Sequence, residues 1–319
     1  MSRPLVSIVI AAYRSRHDHL AAAIASALGQ TWREIEVIVT DDSPDEGVAI
    51  IVAGFADTRL RYRRNVPSLG VAANHAAGFA ETNGRYVAIL NHDDQFRPAF
   101  VATLVGALEA EPRAVLAFCD HWIIDAEGVT LEADTASNSK FWGRAALAPG
   151  LHRPFFELVV NQSVPMAMGT LFRRSAMPSG WATVAGPAYD LWLSYLLCRG
   201  QAGALYLPER LGAWRTHGSN LTSQGGVDWL LGAAECWHAM ARDPSCGAVH
   251  EQARQRAARA FQACAVGAWR ARRRLECARY AVRSLREKAT LRGVAALALA
   301  LWPFAWRLQW SGIAFARTR

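Results

Sequence analysis

At 319 residues, with 52% hydrophobic and 19% charged side chains, the chain is long enough to bury a large core and too apolar to be disordered. Its net charge of +8 is lopsided: residues 228–319 hold 16 Arg plus Lys against 6 Asp plus Glu, while the preceding 227 residues hold 19 against 21. Six cysteines without a CxxC pair or metal-ligand spacing exclude a disulfide framework and a zinc module, and read as free, buried thiols of a reducing compartment.

In chain order, Leu5 to Ala12 is a buried strand, too short and without the basic flank of a signal peptide. A helix is predicted from Asp18 to Leu28, with Leu20, Ile24 and Leu28 on one face. Ile35 to Thr40 is the next strand and ends in Asp41-Asp42-Ser43-Pro44. Gly47 to Phe55 reads as a helix, Leu60 to Arg63 as a short strand, and Gly70 to Thr82 as an Ala-rich helix stopped by Asn83-Gly84. Tyr86 to Leu90 is a buried strand, and Pro98 to Leu108 a helix with Pro in its first turn. Val115–Phe118 and His121–Ile124 read as two strands, and residues 133–165 as a loop-rich stretch. Gly169 to Arg173 is a strand and Pro187 to Cys198 a helix. Ala204–Leu207 and Leu211–Arg215 are strands around a Pro-Glu-Arg turn. From about Val227 the chain is helical throughout. The alternation of strand and helix implies βαβ units and a mostly parallel sheet.

The stretch Tyr86-Val-Ala-Ile-Leu-Asn-His-Asp-Asp94 carries the clearest chemistry. Two adjacent carboxylates end a buried strand, where open α/β sheets bind ligands. They repel each other and lose hydration there. A divalent cation carrying a diphosphate is one compensation; a loop turn with a helix cap is the plainer alternative.

Five segments stand in fixed order: Val6-Ser-Ile-Val-Ile-Ala-Ala-Tyr13, Val37-Ile-Val-Thr-Asp-Asp-Ser43, Asn65 with Gly70-Val-Ala-Ala-Asn74, Asn83-Gly-Arg-Tyr86, and Leu90-Asn-His-Asp-Asp94. Tyr189-Asp-Leu-Trp-Leu193, Pro208-Glu-Arg-Leu211 and Trp214-Arg-Thr-His217 follow. With these, residues 4–223 resemble the inverting family 2 glycosyltransferases of GT-A fold. The resemblance implies a Rossmann-like α/β domain over residues 1–225 and fades in the tail, where charge and pattern give a basic helical extension over 226–319. It implies transfer of a sugar from a nucleoside-diphosphate donor, UDP- or dTDP-linked, to an acceptor hydroxyl in cell-surface glycan synthesis.

Residue by residue, the resemblance places Asp41 on the pyrimidine base and Ala11, Ala12 and Tyr13 along the nucleotide. Asn74 approaches the ribose or phosphate, or else caps its helix. Asn91, His92 and Asp93 border the nucleotide. Asp93 and Asp94 face a divalent metal, manganese or magnesium, and the nearby sugar oxygens, with Asp94 and His217 as its ligands. Arg215 contacts the diphosphate, and Asp190 is the general base that takes the acceptor proton. The chain departs from the pattern in three places. Ala11 stands where the family often has Pro, Asn91 where its acidic motif begins with Asp, and Pro187-Ala188 where an acidic pair precedes the Asp-Leu-Trp helix. The last two departures keep open a catalytically silent nucleotide-sugar-binding or assembly protein of the same fold.

In the tail, Gly293 to Trp306 is apolar over 14 residues, below the length that spans a bilayer, and Trp302, Trp306 and Trp310 share one helical side. With Arg270–Arg274, Arg279, Arg283 and Arg286 as a basic face for phosphate headgroups or water, it suits the anionic inner face of a membrane, contacted from the cytoplasm, or packing on its own domain or on a second subunit. The acceptor is then a glycan or lipid-linked glycan. Charge alone would also suit nucleic acid, but no recognition module accompanies it.

Overall fold

The structure, a computed structural model, describes residues 3–218 and 227–301. The chain divides into two compact units, Met1–Gly225 with Asp243–Val249, and Gly226–Arg242 with His250–Arg319.

The first unit opens with a βαβ series: β1 (Val6–Ala12), α1 (His17–Leu28), β2 (Ile35–Asp41), α2 (Gly47–Ala53), β3 (Leu60–Arg64), α3 (Val71–Ala80) and β4 (Tyr86–Asn91). Every residue of β1 is buried, as a strand covered on both faces requires. Gly78 lets α3 lie close on the sheet, because a Cβ there would stand 2.3 Å from a Val9 methyl. Then follow β5 (Gln95–Phe96), α4 (Phe100–Ala110), β6 (Ala114–Ile124), α5 (Glu132–Phe141), β7 (Gly150–His152), α6 (Phe156–Val160), β8 (Thr170–Arg173), α7 (Ala182–Ala185), α8 (Tyr189–Cys198) and β9 (Gly203–Arg215). They form one nine-stranded sheet in the order β3-β2-β1-β4-β8-β6-β9-β5, with β7 also on β9. The pairs β1–β2, β1–β4, β2–β3 and β6–β9 are parallel; β8 runs antiparallel to β4 and β6, and β5 and β7 antiparallel to β9.

This is a mixed α/β sheet of GT-A type, mostly parallel and flanked by helices. The strand order reverses at β1, so the cleft outside the carboxyl ends of β1, β2 and β4 is its switch point. Register brings the expected residues level there: Ala12 pairs with Asp41, and Ala11 with Asn91.

Three local expectations need correction. Val115–Phe118 and His121–Ile124 belong to one strand, β6. Ala204–Leu207 and Leu211–Arg215 are likewise one strand, β9. Its register against β6 jumps from Cys119↔Leu207 to Asp120↔Arg210, so Pro208 and Glu209 are extra residues in a bulge and not a turn between strands. Pro208 has no N–H to give a ladder, which suits a bulge. Residues 133–165 are not loop-rich: they contain most of α5 and all of β7 and α6.

The second unit is helical: α9 (Val227–Met240), α10 (His250–Arg270), α11 (Arg274–Glu287) and α12 (Leu291–Leu301). Buried Ala257, Ala260, Phe261, Cys264, Ala268, Cys277 and Ala281 form its apolar interior. Glu287, 2% exposed, is held there by Arg242 at 3.0 Å and by His238 at 2.5 Å. All six cysteines are free and buried. Among the described residues no helix is long and apolar enough to cross a membrane.

Candidate active site

Asp41 ends β2 with its side chain fully buried. Its Oδ1 accepts the Ser43 N–H at 2.8 Å and its Oδ2 the Tyr62 hydroxyl at 2.7 Å. A carboxylate has about four lone-pair positions, so acceptor capacity for a base N–H remains. Tyr13, 49% exposed, lies at the mouth just after β1, with the Arg14 guanidinium 5.4 Å from its ring; Ala11 and Ala12 are buried behind it.

Asp42, the neighbour that sequence reasoning passed over, has the richer set of partners. It accepts the Ser68 hydroxyl at 2.6 Å, the Leu69 and Gly70 N–H groups at 2.8 Å each, and the Asn65 amide at 3.2 Å. Burial alone would raise its pKa, but these four donors outweigh it and hold the carboxyl below its ordinary value. The depressed value contributes stability that is present above the ordinary carboxylate pKa and is lost as pH falls through the folded value. Asp42→Asn is therefore expected to melt lower at neutral pH and to lose less on acidification, by about 1–2 kcal/mol of stability. Parallel melting-temperature-against-pH curves for the two proteins would overturn this role.

Asn74 is turned inward. Its Nδ2 donates to the Ala12 carbonyl at 3.2 Å and its Oδ1 accepts the Asn65 amide at 2.9 Å. This is neither the ribose contact nor a helix cap. The side chain locks the end of β1 to the loop after β3.

At the end of β4 the two carboxylates have different surroundings. Asp94 is fully buried; its Oδ1 accepts the Arg215 N–H at 2.9 Å and its Oδ2 the Asn91 amide at 2.9 Å. Burial first, and the charge of Asp93 second, push the Asp94 carboxyl well above the usual range. Asp93 is the more accessible, its Oδ2 lying 3.0 Å from His217 Nε2, with the two side chains 13% and 17% exposed. Both Asp94 oxygens are thus engaged in the interior, and Asp93 with His217 is the outward pair.

Arg215 also differs from expectation. It is 3% exposed, and its guanidinium donates to the carbonyls of Asp93 (2.8 Å), Asp125 and Ala126 (3.0 Å each). It clamps the acid loop to the turn after β6 and does not reach out as a diphosphate ligand. His19, from the first turn of α1, meets the same Ala126 carbonyl at 3.0 Å and lies 5.4 Å from the His217 ring. His92 is half-buried, its pKa lowered first by burial and its Nδ1 without a partner. His75, buried by α3, is pushed down to about 3 by desolvation and by His92, and stacks 4.3 Å from Tyr189.

Tyr189 links the acid loop to Asp190. Its hydroxyl donates to Asn91 Oδ1 at 3.3 Å. Its own pKa is raised by burial, then by the charges of Asp190, Asp94 and Asp93. Asp190 sits in the first turn of α8, where a negative charge meets the helix dipole favourably. Its Oδ1 accepts the Leu191 N–H at 2.8 Å, and no side chain donates to it among the described residues. Burial raises its pKa. The short turn Gly186–Ala188 occupies the place of the absent acidic pair. Tyr189, adjacent to Asp190 in sequence, and His19, just beyond the first strand, were the missed residues whose position could have flagged them.

Asp93 and His217 fit a divalent cation as two protein ligands, a carboxylate and an imidazole, with phosphate oxygens and water completing the shell. Among the described residues no three His, Cys, Asp or Glu converge as ligands.

A GT-A sheet with an acid loop at its switch point defines a class of nucleotide-sugar-handling proteins. The sequence profile described as glycosyl transferase family 2 matches residues 7–176, and the chain belongs to that family. It is 31% identical over 119 residues to the UDP-Glc:alpha-D-GlcNAc-diphosphoundecaprenol beta-1,3-glucosyltransferase WfaP of Escherichia coli, covering 37% of this chain and 47% of that protein. It is 34% identical over 107 residues to the succinoglycan biosynthesis protein ExoO of Rhizobium meliloti, covering 34% and 30%. The match therefore spans less than half the length of either relative. The S. aureus TarS 1–349 structure with UDP-GlcNAc superposes with a TM-score of 0.61 at 11% identity, over 93% of this chain and 90% of that one. The complex of the same protein with UDP gives 0.57 at 12%, over 81% and 71%. At these identities the superpositions establish the fold.

Proposed function

We propose that the chain is an inverting glycosyltransferase. It takes a sugar from a UDP-type donor and adds it to a hydroxyl of a lipid-linked glycan in surface polysaccharide synthesis. The observation that supports this reading is that Asp41 and Asn91 stand level with the end of β1, that Asp93 lies 3.0 Å from His217, and that Tyr189, next to Asp190, donates to Asn91. Support for the donor comes from the UDP and UDP-GlcNAc complexes of the TarS neighbour. The diphosphoundecaprenol acceptor named for WfaP supports the lipid-linked acceptor. In this reading residues 1–225 are the catalytic domain and 226–319 an extension serving a membrane partner.

Each group has a defined task. Asp41, oriented by Tyr62 and Ser43, accepts from the base of the donor. Asp93 and His217 would hold manganese or magnesium, which when bound supplies positive charge to the leaving diphosphate. Asp94 and Arg215 stand behind and fix the loop. Asp190 takes the acceptor proton as the hydroxyl attacks the anomeric carbon.

The test is calorimetric titration with UDP, with and without manganese, followed by donor hydrolysis. Manganese is expected to tighten UDP binding about tenfold, roughly 1.4 kcal/mol. A chelator should remove the gain, and Asp93→Asn should abolish it without changing the melting temperature. Equal UDP affinity with chelator would take the metal out of the reading. Tight UDP-sugar binding with neither hydrolysis nor transfer would favour the silent binding protein, which the missing acidic pair at Pro187-Ala188 also suits.

A further inference from the structure

We infer that the outer face of α12, with the arginine row of α11, is a docking surface for an anionic phospholipid bilayer.

At 100° per residue, Leu291, Val294, Ala295, Ala298 and Leu301 fall within an arc of about 120° on α12. All five are exposed: Leu291 is 90%, Val294 54% and Leu301 60% accessible. The opposite side, Gly293, Ala296 and Ala300, is the buried one. A helix in water normally turns its apolar stripe inward, so an outward Leu and Val stripe asks for an apolar medium. Leu275, 86% exposed, adds to it at the far end. The neighbouring Arg274 donates to the Ala300 and Leu301 carbonyls at 2.8 and 2.9 Å, tying the start of α11 to the end of α12.

The surrounding charge selects the medium. Residues 270–292 carry nine Arg and Lys against two Glu. Glu287 is buried in its own ion pairs, and Glu276 lies 3.5 Å from Arg273. The exposed charge around the stripe is therefore mostly positive, Glu276 and the exposed Glu251 being paired with Arg273 and Lys288. An open groove of about 590 Å³ runs between the helices, lined by Arg279, Arg283 and Arg286 on one side and Leu297 and Leu301 on the other. Arg283 is paired with Glu235, but Arg279 and Arg286 are exposed and enter no ion pair among the described residues. Cations beside an aliphatic wall match a phospholipid, whose phosphate and acyl chain meet at that depth. A protein partner would have to supply both an apolar strip and a dense acidic rim. This inference does not depend on the reaction assigned to the first unit.

The experiment is sedimentation of the full chain with vesicles of phosphatidylcholine containing phosphatidylglycerol, against phosphatidylcholine alone. Binding is expected to the anionic vesicles only, and to weaken with salt. Each cation near an anionic leaflet is worth roughly a fivefold change in binding. The double change Arg279→Glu with Arg286→Glu should therefore weaken it by more than about tenfold, and Leu291→Gln with Val294→Gln should weaken it as well. Melting temperature and transfer to a soluble acceptor should stay with the parent in both variants. Anionic-vesicle binding that is absent, or unchanged by the arginine pair, overturns the inference. So does a concentration-dependent dimer broken by the glutamine pair, which would assign the face to a second copy. A large fall in melting temperature for the glutamine pair also overturns it, because the stripe would then be packed within the chain.

Discussion

Asp190→Asn is expected to lower sugar transfer by about 100- to 10,000-fold, the range typical of a lost general base. UDP affinity should stay at the parent value. The substitution keeps an oxygen for the Leu191 N–H, which holds the side chain at 2.8 Å, so the rotamer has no reason to change. What is lost is the ability to take a proton. The pH profile supplies a second readout. Burial raises the Asp190 pKa, and the base works in its ionised form. The acidic limb of kcat/KM should therefore lie above the ordinary carboxylate value of about 3.9, and should vanish from the residual rate of the variant. Stability follows the opposite sign from Asp42. A carboxylate whose folded pKa is raised costs stability above that value, so the neutral amide should melt at or slightly above the parent at pH 7. Full transfer by the variant would place the base elsewhere. A lowered melting temperature would make Asp190 a structural cap of α8.

The first half of the fold was legible because β1, β2 and β4 are buried on both faces and its helices keep one apolar side. Val6–Ala12, Ile35–Asp41 and Tyr86–Asn91 lie within a residue or two of their expected ends. The strand β9 was not, because Pro208-Glu209-Arg210 has the composition of a turn. Only the pairing partner β6 reveals that Pro208 and Glu209 are absorbed as a bulge. The stretch 133–165 was missed for a related reason: α5 is polar, with Thr135 and Ser139 among its buried residues. Ser139 and Arg144 bond to Asp120, so polar partners anchor this segment and no apolar stripe announces it.

At the site, sequence could mark which residues gather but not which way they turn. Asp93 and Asp94 are adjacent and chemically identical, yet a strand end sends one inward to Arg215 and Asn91 and leaves the other beside His217. Asn74 and Asp42 sit in the expected motifs and hold backbone groups of the neighbouring loops. The structural work around a nucleotide cleft falls on polar side chains because the loops at strand ends expose N–H and C=O groups that must be paired.

The sharpest consequence of that geometry is at Arg215. Arg215→Met is expected to destabilise the protein by about 3–5 kcal/mol, because three hydrogen bonds from a charged group, each worth about 1.5–3 kcal/mol and not additive, are lost together. The Asp93 carbonyl loses its donor, and those of Asp125 and Ala126 keep only the Gly128 N–H and His19 among the described residues. Asp94, already buried and disfavoured as an anion, loses a nearby positive charge as well. For a unit of this size the melting temperature should fall by roughly 10 °C. Arg215→Lys should recover only part of it, because a single ammonium keeps the charge but cannot serve carbonyls in several directions as the guanidinium fork does. Were Arg215 a diphosphate ligand instead, the pattern would invert: UDP affinity would drop in both variants while their melting temperatures stayed with the parent. Differential scanning calorimetry together with UDP titration of the two variants separates these outcomes. A thermally unperturbed Arg215→Met protein would sink the clamp, because a methionine there satisfies none of the three carbonyls that the arginine now holds.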